Sequence, residues 1–525
     1  MKRLFMIFAS AVVAAGLWAC PMSVMAMPDD YGDLVQDQDT GSVDTWDVDT
    51  SWFDYLDPKT QYTISTEAQL RGLASLVNEE QYLWKPNRTE SFEGVTFVLT
   101  RDITLTDAWT PIGIDNQITF AGVFDGKGHS ITGIELQSED PYCGFFGHLS
   151  GTVCNLTLEG NVSSTGEYCG GLTGYVGDTG RIDNCTCNVQ VAGKDDVGGI
   201  AGYVRGGWIR GSVNYGEVIG ANMVGGITGE CRGGAIRNCG NRGLIVSNGA
   251  GSFNNGTGGI AGRSVAASRL ISCYNTGDII SSNEATGGIC GYTNSTGSVV
   301  ANCYSIGTIR IEQAQVQTAV SFSPADMNGT DAAASAGQGL PVYAGGIAGY
   351  VGSESLRIEN CYNAGKISGA DYTGGIIGRC QNDLYSSGPA AFKNNYYVKG
   401  SYDGAIAADR ENKRMRVRGA ATEVYESAFG HLAASLGDAY MDDKAGAYGS
   451  QGYPVLTWQQ EIQSEENLAV LDHVNKQVLR WLHDAKLLVD SEDILQGRIF
   501  MDFFNRDSIY ESVPGNNPRL PLKGE

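Results

Sequence analysis

GGIAGYV at 198–204 is one copy of a phrase that also reads GGLTGYV at 170, GGITGEC at 225, GGIAGRS at 258, GGICGYT at 287, GGIAGYV at 345 and GGIIGRC at 374. The second Gly of each copy falls at Gly171, Gly199, Gly226, Gly259, Gly288, Gly346 and Gly375, in steps of 28, 27, 33, 29, 58 and 29 residues. A near-constant period in this range is the signature of a solenoid. GFFGHL at 144 is a degenerate earlier copy.

A second phrase alternates with the first: IDNCTCNVQV (182–191), IRGSVNYGEV (209–218), IRNCGNRGLIV (236–246), LISCYNTGDII (270–280), VANCYSIGTIR (300–310) and IENCYNAGKIS (358–368), with VCNLTLEG (153–160) before them and FKNNYYVKG (392–400) after. Each holds an apolar residue, a polar turn and a short alternating run. Both phrases are too short for helices and are Gly-punctuated and β-branched, which reads as strand, turn, strand. One repeat is then one coil, and like positions stack above one another. Residues from about 95 to 400 are expected to form one parallel stack, with about eight coils between 144 and 397. Ile200, Ile227, Ile260, Ile289, Ile347 and Ile376 are expected to share one inward column.

Gly at 72 of 525 residues without a collagen triplet, and only 18% charged residues, suit a stacked all-β array. The net charge of −23 is unevenly spread: 28–58 holds ten Asp and no base, whereas 144–397 holds 17 acids and 14 bases. A nearly neutral stack lacks the basic face that nucleic acid requires, and the acidic segment would repel it.

MKRLFMIFASAVVAAGLWAC opens with Lys2 and Arg3 before an apolar run and reads as a secretory signal peptide, with cleavage after Ala26. Lipidation at Cys20 is the alternative and would make an outer-membrane lipoprotein. No later run of 18 apolar residues follows, so no transmembrane span is expected. The 13 cysteines suggest disulfides in an oxidising compartment. Against that, Cys154, Cys185, Cys239, Cys273, Cys303 and Cys361 are read into one slot of the second phrase, which Ser212 and Asn395 also fill. A slot that accepts Ser or Asn predicts free, buried thiols. The Cys185–Cys187 pair has no companion pair for zinc, and Asp37, Asp39 and Gly41 lack the Glu of a calcium loop. Neither metal nor cofactor is expected.

TISTEAQLRGLASLVNEE (63–80) predicts a helix, with Thr66 and Gln69 as a capping box and Leu70, Leu73, Ala74 and Val77 as its apolar face. Such a helix is placed to cover the solenoid's open end. Residues 312–342 lack both phrases and predict a loop. TEVYESAFGHLAASL (422–436) reads as helical, and GYPVLTW (452–458) as a final apolar strand. Beyond 461, Leu471, Val474, Val478, Trp481, Ala485 and Leu488 fall at steps of 3 and 4, and a second helix begins at Ser491.

Several linked pieces in order, YTISTEAQLRGLASLVN (62–78), LTRDITLTDAWTPIG (99–113), FAGVFDGKGHSITGIEL (120–136) and GFFGHLSGTVCNLTLEG (144–160), followed by the GG-[IL]-x-G phrases, resemble bacterial GLUG-repeat proteins. The resemblance runs from about 43 to 458. It implies a right-handed parallel β-helix on secreted or surface proteins, including non-catalytic parts of some immunoglobulin-cleaving peptidases. It departs at 212, at 395 and in the inserted loop.

The coils carry scattered acids, Asp183, Glu217, Asp278 and Glu359, with no paired slot, and few histidines: His129, His148, His431, His473 and His483. No catalytic constellation emerges. The organisation read from the sequence is a signal peptide (1–26), an acidic linker (27–60), the β-helix with its capping helix (61–400), a closing segment (401–458) and a helical appendage (459–525). The functional expectation is a non-catalytic secreted or cell-surface protein that binds a glycan or a host surface protein, with the C-terminal helices as a candidate surface for a protein partner. The alternative is a carbohydrate-active enzyme, a lyase or hydrolase, on the same scaffold. Loops on a rigid scaffold are the usual contact sites, which makes Phe322 and Met327 of the insertion, with the turn residues Tyr274, Tyr304 and Tyr362, the candidate ligand-binding residues.

Overall fold

A computed structural model of the protein describes residues 48–54, 56–78, 92–249, 255–312, 341–352, 356–380, 392–400, 402, 404–407, 421–448 and 450–460. The segments expected to be a signal peptide and a helical appendage, and nearly all of the inserted loop, lie outside the described residues.

The chain winds into a parallel β-solenoid of about nine turns. One coil shows the plan: Arg181–Asp183, Thr186–Ala192, Asp195–Gly198 and Ala201–Arg205 are four strands separated by short corners. The next coil repeats it, and Ile182 pairs with Ile209, Cys187 with Asn214, Val197 with Val224 and Tyr203 with Glu230, all in parallel. Stacking these coils builds four sheets of 11, 16, 7 and 8 strands, called sheets I to IV in the order the chain visits them. Ile200, Ile227, Ile260, Ile289, Ile347 and Ile376 form the expected inward column, each at most 2% exposed. Each Ile carbonyl accepts the N–H of its counterpart one coil earlier at 2.9–3.1 Å, from Ile200 through to Ile376.

Two asparagine positions connect the phrases, and the sequence reading did not separate them. In the first, Asn184, Asn238, Asn302, Asn360 and Asn394 take positive φ of 52–57° at the corner between sheets I and II. Asn tolerates this left-handed conformation better than other side chains. Gly211 and Ser272 fill the same corner in two coils. In the second, Asn214, Asn241 and Asn275 are buried in a ladder: Asn214 Nδ2 donates to Asn241 Oδ1 (2.9 Å), and Asn241 Nδ2 donates to Asn275 Oδ1 (2.8 Å). Each Nδ2 also donates to the carbonyl two residues on, at 2.8–2.9 Å. This ladder explains the second Gly of GG-[IL]-x-G. A Cβ on Gly226 would lie 2.4 Å from Asn241 Cγ, and a Cβ on Gly199 would lie 2.4 Å from Asn214 Cγ.

The cysteines of the repeat slot, Cys185, Cys239, Cys273, Cys303 and Cys361, are buried free thiols. The thiol slot holds Cys185, Ser212, Cys239, Cys273, Cys303, Cys361 and Asn395, and its Cys and Ser occupants share one task, whereas Asn395 donates to the Ile358 carbonyl. Cys239 Sγ donates to the carbonyl of Arg237 at 3.2 Å, and Ser212 Oγ to that of Arg210 at 3.0 Å. Cys154 does not belong to the slot. It pairs with Asp183, one residue short of the corner, and Leu156 occupies the thiol position in its coil.

The capping helix runs over Glu67–Asn78, shorter than 63–80, because Gln61–Ile64 is a strand that pairs with Thr96–Leu99 at the end of sheet I. Gln69 N–H donates to Thr66 Oγ1 at 3.2 Å, while Gln69 Oε1 accepts from Ser65 N at 2.9 Å. Leu70, Leu73, Ala74, Leu76 and Val77 are buried. Arg71 donates to the carbonyls of Asp107 and Ala108, and Asn78 to that of Pro111, which fastens the helix to the first coil.

The closing segment departs from expectation. Residues 422–436 are not one helix: strand Ala421–Val424 pairs with Asn395–Val398, a 3-10 turn spans Glu426–His431 and a single helical turn spans Ala433–Leu436. GYPVLTW does not extend the stack. Its Val455–Leu456 pairs antiparallel with Tyr440–Met441, and the segment lies against the outside of sheet II.

Candidate functional site

The sequence-derived candidates fall into two groups. Phe322 and Met327 lie outside the described residues. Tyr274, Tyr304 and Tyr362 do stack in register, with ring centroids 5.5 and 5.1 Å apart, but they are at most 1% exposed. The closing segment covers them. Tyr304 OH donates to Gln459 Oε1 (3.0 Å), Tyr362 OH donates to the Pro454 carbonyl, and Trp458 Nε1 donates to the Ser272 carbonyl (2.9 Å). These tyrosines hold the chain's own closing segment and are covered by it. The reason lay in a long-range contact that no local pattern encodes.

A different strip breaks the small-residue surface. The residue after the last Gly of each GG-[IL]-x-G phrase lies in sheet IV: His148, Tyr175, Tyr203, Glu230, Arg263, Tyr292, Tyr350 and Arg379 form one in-register row. Eight rungs at about 4.8 Å each give a strip of ~34 Å. In sheet III a neighbouring row starts with Tyr142, Tyr168, Asp196 and Met223, all at positive φ of 50–64°. The sheet IV row is aromatic or charged throughout, whereas the sheet III row runs on from Met223 through Gly256 and Ala285 to Tyr343 and Tyr372. The signal was present in the sequence, one position beyond the phrase that defines the coil.

The strip has three parts. At its N-terminal end Tyr142, His148, Tyr168, Tyr175 and Tyr203 form a continuous ring cluster with centroid distances of 4.6–5.7 Å. Toward the C-terminal end Tyr292 stacks on Tyr350 (5.0 Å) and Tyr343 on Tyr372 (5.2 Å), with Arg379 over Tyr343 at 4.7 Å. Between the two clusters lie Asp196, Met223, Glu230 and Arg263. Glu230, 3% exposed, pairs with Arg263 at 3.1 Å and with Arg232 at 3.7 Å. Asp196, 7% exposed, has an Oδ1 with no hydrogen-bond partner, and Arg263 Nε is likewise unpartnered. Burial, with Glu230 and Asp195 beside it, pushes the Asp196 carboxyl well above the usual carboxylate range, against the pull of Arg263. Burial also raises Glu284, whose Oε1 lacks a partner, while Arg379 acts in the opposite sense. His148 is held below its ordinary value by burial, and its Nδ1 lies 3.0 Å from the Asp115 carbonyl oxygen. Burial raises the phenols of Tyr142, Tyr168 and Tyr203, so all three are hydrogen-bond donors at neutral pH.

Among the described residues no group of three or more His, Cys, Asp or Glu is placed to hold a metal ion. Nor is any helix among them long and apolar enough to cross a membrane. The sequence-derived acids Asp183 and Glu359 lie instead on sheet I, paired with Arg210 (2.8 Å) and with Arg357 and Lys393.

No family model matches the chain, and neither does any curated protein. Solved structures similar to it include a candidate immunoglobulin A1 protease from Bacteroides ovatus, at 23% identity and TM-score 0.40, covering 49% of this chain and 79% of that one. Another is an IgA1 protease at 14% identity and TM-score 0.35, covering 65% of this chain and 21% of that one. The chain thus spans about a fifth of the second protein's length.

Proposed function

We propose that the chain is a non-catalytic secreted or surface-attached repeat protein of the GLUG type that binds a glycan along the strip of sheets III and IV. One observation carries this reading. Eight successive coils place a large aromatic or charged side chain at one in-register position of sheet IV, half-buried at Tyr175, Tyr203, Arg263 and Arg379 and buried at the other four. Rings offer apolar area with a hydroxyl at the tip, and acids and arginines satisfy sugar hydroxyls, which is the mix that polar carbohydrate surfaces require. A linear ligand suits a linear row. Secretion rests on the leader read from the sequence, and GLUG membership on the motif resemblance.

The test is a glycan array followed by calorimetry on the mature chain and on Tyr203→Ala. Loss of a central aromatic contact should weaken binding by about 2 kcal/mol, roughly thirtyfold, with an unchanged circular dichroism spectrum. Excision of 312–342, which removes Phe322 and Met327, is the comparison. Full binding by Tyr203→Ala together with loss in the excised chain would move the site to the loop.

The neighbouring buried acids Asp196 and Glu230 favour one second reading, a carbohydrate-active enzyme, because two carboxyl groups facing one place are what glycoside cleavage uses. Release of reducing ends from the bound glycan, abolished in Asp196→Asn, would establish it.

A further inference from the structure

We propose that the centre of the strip, between its two tyrosine clusters, is a subsite for the carboxylate of an acidic sugar, a hexuronate or a sialate, held by Asp196 and Arg263. This deepens the glycan reading above and rests on it.

Two buried polar atoms on adjacent rungs of the stack lack partners, Asp196 Oδ1 and, one coil beyond Glu230, Arg263 Nε. Buried polar groups are almost always satisfied, so neighbouring orphans mark a place where a ligand atom is expected. Asp196 lies between Glu167–Gly170 and Asn222–Gly225 in sheet III, in the row of Tyr168 and Met223. None of the ion pairs among the described residues includes it. A buried carboxylate without a counter-ion next to the charge of Glu230 takes up a proton instead. The protonated group is then a donor, and Arg263 Nε–H is a second donor.

Two donors on adjacent rungs suit an acceptor with two oxygens and a negative charge. A carboxylate meets this, and both bonds to it are charge-assisted, hence short and strong. The surroundings tolerate the added charge: Glu230 is matched by Arg263 and Arg232, and Asp195 by Lys194 at 3.8 Å. Rings flank the place on both sides, Tyr168 and Tyr203 on one and Tyr292 on the other, where Arg263 lies over the ring at 5.7 Å. A sugar ring carrying the carboxylate would be bracketed by aromatic edges while its charge sits at the centre.

The groups that act on Asp196 are Glu167 and Tyr168 from the preceding strand, its neighbour Asp195, Tyr203 and Glu230 from sheet IV, and Arg263 one coil further. The acids favour its neutral form and Arg263 opposes it. Affinity for an acidic sugar is therefore full while Asp196 is protonated and falls as pH rises through its folded value.

The experiment is calorimetry on the mature chain with oligogalacturonate and with sialyllactose, against carboxyl-reduced oligogalacturonate and lactose, from about pH 5 to about pH 9. The expected result is that one acidic probe binds at least about tenfold more tightly than its neutral counterpart, as a charge-assisted pair requires. Asp196→Asn, which mimics the neutral carboxyl, should keep that affinity at low pH and hold it where the parent loses it. Arg263→Gln alone would strand Glu230, so it is made together with Glu230→Gln, and the pair should lose the preference for acidic probes while remaining folded. Equal affinity for acidic and neutral probes overturns this proposal and leaves the glycan reading standing. An unchanged pH profile in Asp196→Asn also overturns it. Binding to no glycan at all removes both.

Discussion

Asn241 has a like residue one coil before it and another one coil after it, and its side-chain amide is used on both sides, as acceptor from Asn214 and as donor to Asn275 and to the Gly243 carbonyl. Removing it strands a donor and an acceptor in a fully buried place, so Asn241→Ala should destabilise by about 2–4 kcal/mol, read from a denaturant melt. The ladder is interrupted once. Ser305 occupies the same column between Asn275 and Asn363, and its Oγ has no partner. Ser305→Asn is expected to restore the run and raise stability by about 1 kcal/mol, and a lower melting point would show that the Gly288 corner cannot admit the longer side chain. At this scale the sequence was legible in part. The Gly pairs and the Cys slot were visible because they repeat. Asn214 and Asn241 were not recognised as a ladder, because NYG and GNR place the residue in dissimilar company. Cys154 was misassigned for a related reason: its coil carries a Leu at the thiol position and a Cys one corner earlier, and only the pairing with Asp183 reveals the offset.

The elements at the two ends work differently. The helix Glu67–Asn78 presents an apolar stripe to the end of the stack and anchors it through Arg71 and Asn78. Its existence and its apolar face followed from periodicity. The strand before it did not, because four residues of QYTI carry little pattern. The closing segment was misread because its contacts are lateral. Its Phe429, Leu436, Tyr440, Val455 and Leu456 bury the tyrosine column of sheet II, and a Pro-bounded pair of two-residue strands has no signature of its own. Truncation before 421 should therefore expose Tyr274, Tyr304 and Tyr362 together, and the truncated protein should self-associate and bind a hydrophobic dye. Truncation before 461 should not, since the covering ends with Gln459 and its bond to Tyr304. Equal solubility of the two products, by light scattering, would contradict this account.

For the whole molecule, the period together with the Gly-punctuated, β-branched phrases was enough to give the parallel stack, since coils of like length stack with like positions in register. The strip was harder to see, because its residues differ from coil to coil, and difference is invisible to a search for repetition. Two acids lie along it with raised folded values, Asp196 and Glu284. The sign follows from linkage: their contribution to stability is full below the unfolded carboxylate value of about 4 and is lost as pH rises through the folded values. Melting points should therefore decline from mildly acid toward alkaline pH, and Asp196→Asn should flatten part of that decline. An identical slope in the variant would show that Asp196 is ionised throughout. The direction of the inter-coil hydrogen bonds has a mechanical side as well. All of them run along the long axis, from Ile200 through Ile376 and in every sheet, so tension applied between the two ends loads the rows one after another and not all at once. Such a body yields by peeling. Each coil of 27 to 29 residues that lets go pays out about 90–100 Å of extended chain, and the coils behind it keep their shape. A protein tethered at one end and gripping at the other would lengthen in steps under shear, dissipating the pull before its grip is asked to fail.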